Sequence, residues 1–576
     1  MTVRMIRRRT GAPAADFGPG LHPVLRRVYA ARGLTHSDEL ALSLDRLLPV
    51  RTLEGLDAAV TVLLEHLDTG SRVLVVGDFD ADGATSSALL VRGLKRLGFA
   101  NVGYLVPNRF RYGYGLTPEI VALAAEQAPG LIVTVDNGIS SHAGVLEAQR
   151  RQIDVLITDH HLPGTELPAA RAIVNPNLVG ATFASHALAG VGVAFYLLAS
   201  LSRRLQERGA ATASGWSPAE LLDLVALGTV ADLVPLDQNN RILVAQGLKR
   251  IRAGRCVPGI TALLEQAKRE PDGIVAQDLG FAVAPRLNAA GRLDDMSLGI
   301  ECLLTNDIAV ARQLAARLSE LNDERREIEQ RMQAEALEAV ARLHLERQGI
   351  LGALCLYDES WHQGVVGLVA SRVKDRVHRP VVAFARAEDG TLRGSARSVT
   401  GVHIRDVLDA VAARYPGLLD RFGGHAMAAG LTLRHEHLDA FTAAFGAEVD
   451  RWLDPAALGI IDSDGELAPE EMTLATALEL RAAGPWGQAF PEPAFDGEFE
   501  LLDSRAVGDR HLKLRVRPVS SGESYEAMAF RYLDGTASEL PAGRAQMAYR
   551  LDVNEYLGIR RLQLVVEHLA RLPHGS

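Results

Sequence analysis

The chain has 576 residues, 48% of them hydrophobic and 23% charged, with a formal net charge of −10 at pH 7. That length exceeds one ordinary hydrophobic core and predicts about three or four domains, while the acidic balance excludes a protein that coats nucleic acid by bulk electrostatics, so any polyanion site must be local. No stretch approaches the roughly 18 apolar residues of a membrane span and no signal-like apolar run follows the basic start, so a soluble cytoplasmic protein is expected.

After an N-terminal segment, residues 1–50, apolar spacing over residues 53–67 predicts a helix, and residues 73–76 predict a buried strand running into the acidic turn Asp78-Phe79-Asp80-Ala81-Asp82-Gly83. A helix over 85–97, a strand over 102–106, a helix over 118–125, a strand over 131–136, a helix over 143–150 and a strand over 154–159 follow. This alternation predicts a parallel sheet with helices on both faces, set within a domain of residues 51–250. Asp78, Asp136 and Asp159 fall at the carboxyl ends of strands, the edge where open α/β sheets bind ligands. A fourth acid, Asp232, lies in the helix-like run LVALGTVADLVPL, where a lone carboxylate is costly unless paired or metal-bound.

Residues 251–349 read as a helical connector. It ends in a long charged helix over 308–345 with a narrow stripe of Leu314, Leu318, Leu321, Ile328 and Met332, for which a dimer seam is the alternative to a connector in a monomer. Residues 350–455 form a second, smaller α/β unit with strands in GALCLYD and PVVAFA and a glycine-rich FGGHAMAAG segment. Residues 456–576 break into short strands separated by turn residues and predict a small antiparallel barrel. The fold class is thus α/β multidomain with a C-terminal β-barrel. Cys256, Cys302 and Cys355 lack the paired spacing of a zinc site or a disulfide framework and read as core thiols.

Three alternating acids beside a glycine repel one another unless cations neutralise them, although an acidic surface loop would also account for that turn alone. Asp136, Asp159-His160-His161 and Asp232 at matching positions favour metal. Carboxylate and imidazole donors suit Mn²⁺, and Mg²⁺ also accepts carboxylates. A shell of Asp80, Asp82, Asp136, His160 and Asp232 is expected, with Asp136 bridging two ions, His161 contacting phosphate or assisting proton transfer, and Asp159 orienting the histidines. No P-loop is present, so ATP is not expected.

The segments GDFDADGATSSALL, VTVDNGISS, ITDHHLPG and GTVADLVPL resemble the four successive motifs of the DHH phosphoesterase superfamily. APRLNAAGRLDD, SWHQGVVGLVASRV, LRGSARSVTGVHIRDVL and RFGGHAMAAG extend the resemblance along most of the chain, toward its bacterial single-strand-specific exonuclease branch. The resemblance implies 5′ to 3′ digestion of single-stranded DNA to mononucleotides in recombination and repair, with a helicase and a single-strand-binding protein as partners. It also implies a DHH-associated domain opposite the metals and an oligonucleotide-binding barrel. Val76 stands where the pyrophosphatase branch has a metal-binding histidine, and Asp78 is the candidate to substitute for it.

In the second unit Arg393, Ser395 and Arg397 alternate along one extended stretch, and Gly424 and His425 offer close backbone approach beside an imidazole, both suited to phosphate. Arg109, Arg286, Asn288 and Ser371 are candidates for the 5′ end. In the barrel, Lys513, Arg515 and Arg517 alternate with apolar residues and would form a phosphate-tracking stripe, with Tyr525, Phe530, Tyr532, Tyr549 and Tyr556 as stacking surfaces; a solvated strand face with core aromatics is the alternative. A short-oligonucleotide or cyclic-dinucleotide phosphodiesterase of the same superfamily is the second enzyme reading, and a DNA-binding factor without metals is the third.

Overall fold

The structure is a computed structural model and describes residues 5–11, 15–107, 115–347, 352–399, 401–453, 459–508, 511–530, 532–533, 540–556 and 558–572. It resolves into two compact units, one built from Arg8–Asn322 with Asp462–Ser576 and the other centred on Asp323–Ile461. No described helix is long and apolar enough to cross a membrane.

In the first unit, five strands, Val73–Gly77, Val102–Leu105, Leu131–Val135, Asp154–Thr158 and Ala172–Val174, all run parallel. The continuous apolar runs of the three central strands follow from burial on both faces. Val73, Val75, Leu131 and Val133 pack with the helices Leu56–Asp68, Ala81–Arg96 and Gly190–Glu207. Leu74, Val76 and Ile132 face the other way, toward Pro118–Ala125 and His142–Arg150. In space Val102–Leu105 is one edge, followed by Val73–Gly77, Leu131–Val135, Asp154–Thr158 and Ala172–Val174. The chain therefore reverses its winding direction between Val73–Gly77 and Leu131–Val135, and the crevice beyond their carboxyl ends is the topological switch point.

One element starts earlier than its pattern predicts. The helix expected from residue 85 begins at Ala81, because the Asp80 carboxylate accepts the Gly83 amide at 3.0 Å and caps it. Asp82 thus sits in the first helical turn and not in a loop. Asp232 directly follows the helix Leu222–Ala231 as its C-cap.

The long helix spans Ile308–Arg347. Ala311, Ala315, Leu318 and Leu321 are buried in the first unit's own core, which uses the first half of the apolar stripe within the chain and removes the reason for a dimer seam there. The second unit carries a mixed sheet. Leu354–Tyr357 runs parallel to Val381–Arg386, and Thr391–Arg397, Ala428–Arg434 and Arg421–Gly424 continue it antiparallel over a core that includes Phe384, Phe441 and Phe445.

The strands Phe495–Val507, His511–Pro518, Tyr525–Ala529, Ile559–Arg571 and Gly543–Tyr556 close into a barrel. It is not wholly antiparallel as expected: Tyr525–Ala529 and Ile559–Arg571 run parallel. A ring with an odd number of strands cannot alternate throughout, so one parallel pair is unavoidable. The N-terminal segment packs in the same unit as the barrel. The buried Arg32 guanidinium pairs with both oxygens of buried Asp464, at 2.9 and 3.1 Å, and lies over the Trp486 ring.

Candidate metal centre

Asp78, Asp136 and Asp159 each follow the last residue of a parallel strand, so the sheet itself delivers three carboxylates to one edge. Asp136 adopts a left-handed backbone conformation, φ 60°, a state that costs a non-glycine residue about 1–2 kcal/mol. Its surroundings hold it there. The Asp136 amide donates to the Thr158 carbonyl at 3.1 Å, and the neighbouring Asn137 amide group donates to the carbonyls of Val76 and Val135 at 3.1 and 2.8 Å.

Three overlapping groups of donor atoms converge: Asp136 with His160 and His161, Asp82 with His160 and Asp232, and Asp78 with Asp80 and Asp136, each within 4.8 Å. Asp136 belongs to two of them, and so does His160. The Nε2 of His160 lies 3.0 Å from Asp136 Oδ1 and 3.4 Å from Asp232 Oδ2. His160 Nε2 and Asp232 Oδ2 are buried and make no hydrogen bond, so their lone pairs are left for another electrophile. Oxygen and imidazole donors without a thiolate fit Mn²⁺ or Mg²⁺.

The electrostatics point the same way. Burial, then the charge of Asp232, pushes the Asp82 carboxyl up to about 7, even though the amides of Gly190 and Val191 donate to it at 2.7 and 2.9 Å from the start of the helix Gly190–Glu207. Burial, then Asp80, pushes Asp232 up to about 8. Burial and Asp82 hold Asp136 well above the usual carboxylate range. Buried carboxylates crowded in this way are relieved by protons or by cations.

The two histidines differ. Burial, together with His161, lowers His160. For His161 the lowering effect of burial is outweighed by its hydrogen bond to Asp159, Nδ1 to Oδ1 at 2.7 Å, and the imidazole is pushed up to about 9. Asp159 also accepts the amides of Ile139, His160 and His161. It therefore fixes the loop and the orientation of His161.

Several residues that frame the site were missed by motif reading. The side-chain amides of Asn175 and Asn177 donate to the carbonyls of His161 and His160 at 2.9 and 2.6 Å. They follow the last strand, Ala172–Val174, in an Asn-Pro-Asn turn at the same sheet edge, a signal that could have found them. Gly190 is required by close approach: a β-carbon there would lie 2.6 Å from that of Asp136. Gly291, in the helix Ala284–Leu293, leaves room for the Phe79 carbonyl, which a β-carbon would meet at 1.8 Å.

The residues expected to meet substrate are placed in different ways. Arg109 lies outside the described residues. Asn288 accepts the Ala81 amide at 2.8 Å and so buttresses the aspartate turn. Arg286 is buried and donates to the carbonyls of Ala282 and Gln266. Ser371 is half-buried in the helix Val366–Val377. In the second sheet, Arg393, Ser395 and Arg397 pair with Thr432, Gly430 and Ala428, and Gly424 pairs with Ala429, so Arg397 is brought near the hairpin end where His425 donates its amide to Ala428. Arg397 donates to Ser395 at 2.9 Å, and burial lowers its pKa.

In the barrel, Leu512, Leu514 and Val516 are buried while Lys513, Arg515 and Arg517 face outward. Glu526 and Glu500 pair with Lys513 and Arg517, at 3.0 and 2.5 Å, and temper the stripe. Two expected stacking surfaces are corrected. Tyr525 and Tyr549 are buried, Tyr549 edge-on to Phe499, because strand alternation turns them into the barrel core. Phe530 and Tyr532 are exposed, and the Tyr556 side chain lies outside the described ones.

The chain matches the N-terminal domain of the DHH family over residues 72–229, the DHHA1 domain over 348–451 and the RecJ OB domain over 463–568. The parallel sheet with acids and histidines at its carboxyl edge is accordingly that of the DHH class. The single-stranded-DNA-specific exonuclease RecJ of Dickeya dadantii is 55% identical over 571 residues, which cover 98% of this chain and 99% of that protein. RecJ of Thermus thermophilus, solved in complex with Mn²⁺, superposes with a TM-score of 0.79 at 32% identity, over 96% of this chain and 76% of that one. Its complex with Mg²⁺ gives 0.74 at 30% identity, over 96% and 75%. The chain belongs to the RecJ family.

Proposed function

We infer that the chain is a metal-dependent exonuclease that hydrolyses single-stranded DNA, using Mn²⁺ or Mg²⁺. The observation that carries this reading is the shared position of Asp136: one carboxylate takes part in two donor groups, as an acid bridging two cations would. Asp80, Asp82, His160 and Asp232 complete the proposed shell, with Asp78 in the place left by Val76. When bound, divalent cations at such a site supply an activated water and neutralise charge on the phosphoryl oxygens.

The chain's own groups do the rest. The amides of Gly190 and Val191 fix both oxygens of Asp82. Asp159 keeps His161 oriented through Nδ1, and His161 is proposed to hold a proton against a phosphoryl or leaving-group oxygen. Arg393, Ser395, Arg397, Gly424 and His425 are proposed to hold substrate phosphate from the second unit, with Arg109, Arg286, Asn288 and Ser371 toward the 5′ end. Lys513, Arg515 and Arg517 are proposed to follow the strand along the barrel. Polarity from 5′ to 3′, release of mononucleotides, a cytoplasmic setting, and delivery of substrate by a helicase and a single-strand-binding protein belong to the same proposal.

The test is digestion of one sequence as a 5′-labelled single strand, a 3′-labelled single strand, a blunt duplex and a dinucleotide. Immediate release of labelled mononucleotide from the 5′-labelled single strand, with the duplex resistant, is expected. Preference for the dinucleotide would overturn the reading in favour of a short-oligonucleotide phosphodiesterase.

A further inference from the structure

We propose that a basic groove along the open edge of the parallel sheet docks an extended acidic segment of a partner protein, one that carries apolar side chains between its acids. The groove encloses about 1090 Å³ and is separate from the metal centre. Arg72 precedes the strand whose far end leads to Asp78, and Lys95 and Arg96 close the 16-residue helix that Asp80 caps, a length of about 24 Å.

Charge is the first observation. Arg72, Arg92, Lys95, Arg96, Arg250 and Arg255 line the groove against two acids, Glu220 and Glu301, in a chain of net charge −10. Elsewhere arginines find carboxylates, as Arg171 does with Glu65 and Asp154, and Arg312 with Glu265. Among the described residues none of the six groove cations forms an ion pair. Arg92 and Arg250 donate to backbone carbonyls; Arg72, Lys95, Arg96 and Arg255 are exposed on the rim, Arg72 donating to Gln127 Oε1 at 2.9 Å and Arg96 to the Thr212 carbonyl at 3.5 Å. Glu301 accepts the Tyr104 hydroxyl at 2.6 Å.

The groove wall is the second. Val102, Pro258, Leu304, Val310 and Leu314 contribute an aliphatic surface, with Val310 41% exposed. Nucleic acid would use the cations but leaves aliphatic surface idle, since bases stack on aromatic rings. Of the two aromatic residues here, Tyr104 is tied to Glu301 and Trp216 is buried. An acidic peptide with apolar side chains uses both features.

The third is backbone. Among the described residues the sheet ends at Val102–Leu105, which pairs with Val73–Gly77 alone, and Val102, Gly103 and Tyr104 line the groove. An open strand edge offers unpaired amides and carbonyls to an added strand.

The experiment is fluorescence anisotropy on the full chain in EDTA. The probes are a labelled decapeptide of alternating aspartate and leucine, its asparagine–leucine counterpart, and a labelled oligothymidylate. The acidic peptide is expected to bind with micromolar affinity and its uncharged counterpart at least about tenfold more weakly. The triple variant Lys95→Glu, Arg96→Glu, Arg255→Glu is expected to lose at least about tenfold in peptide affinity while digesting a short single strand at the unchanged rate. Val310→Asp leaves every cation in place and is expected to lose peptide binding as well, which keeps the test decisive if the triple variant misfolds. Absence of peptide binding, or binding undiminished in both variants, overturns the proposal. A triple variant that loses oligothymidylate affinity but keeps the peptide makes the groove a nucleic-acid path and also overturns it.

Discussion

His160 Nε2 stands 3.0 Å from Asp136 Oδ1, whereas the Nδ1 of the adjacent His161 lies 4.0 Å from that oxygen and bonds Asp159 at 2.7 Å. Burial and its neighbour's charge lower His160, while the bond to Asp159 outweighs burial and raises His161 to about 9. A neutral imidazole serves a cation and a protonated one serves an anion. His160→Ala is expected to weaken Mn²⁺ binding at least about tenfold. His161→Ala is expected to leave Mn²⁺ affinity within about threefold and to lower kcat about 10²-fold to 10³-fold. Titration calorimetry with Mn²⁺ beside steady-state kinetics separates the two, and equal losses of metal affinity would rule out this division of roles.

Metal and pH are linked through the buried acids. Asp82 and Asp232 have folded-state values of about 7 and about 8, above those of an unfolded chain. Below the unfolded carboxyl range they are protonated in both states, and the metal-free fold keeps its full stability. From there up to pH 7 and 8 that stability is lost, because the unfolded chain gives up protons that the fold retains. The gain in Tm on adding Mn²⁺ or Mg²⁺ is therefore expected to be larger at pH 8 than at pH 5, by differential scanning fluorimetry. An equal gain at both values would remove these acids from the metal shell.

Asn175 and Asn177 brace the two histidines through their carbonyls. Asn177→Ala is expected to lower kcat about tenfold with KM little changed, since supporting hydrogen bonds of this kind carry about 10-fold to 100-fold effects. An unchanged kcat with a circular dichroism spectrum like the parent's would show that the His160 carbonyl needs no such brace.

Asp464→Ala strands the buried Arg32 guanidinium, and also Arg9, whose Nη1 lies 3.4 Å from Asp464. Breaking a buried pair from one side costs about 3–5 kcal/mol, whereas replacing both partners with apolar residues costs far less. Urea unfolding should therefore show Asp464→Ala to be less stable than the double variant Arg32→Met, Asp464→Leu.

Periodicity and motif order made the parallel sheet and the strand-end acids legible, because a doubly covered strand must be continuously apolar and its carboxyl end is where ligands sit. The start of the first-motif helix was not legible: Asp80 is both a candidate ligand and an N-cap, and its acidic turn looks like a loop until the Gly83 amide is seen to bond it. Spacing also could not show which barrel face is inner, so Tyr549 reads as a stacking surface until Phe495 and Phe499 are found beside it. Asn175 and Asn177 act through backbone carbonyls distant in sequence, and the groove cations come from three separate segments. The Asn-Pro-Asn turn marks the sheet edge but not the bonds its side chains make, and the scattered cations leave no local pattern.

Asp136 is shared by two of the donor groups, and in the proposed function it is the acid on which metal-dependent digestion of single-stranded DNA depends. Asp136→Asn keeps the shape and removes the charge. Release of mononucleotide from a 5′-labelled single strand in Mn²⁺ is expected to fall at least about 10³-fold, with affinity for the strand within about threefold of the parent. A variant that digests the strand at close to the parent rate would remove Asp136 from the catalytic metal site.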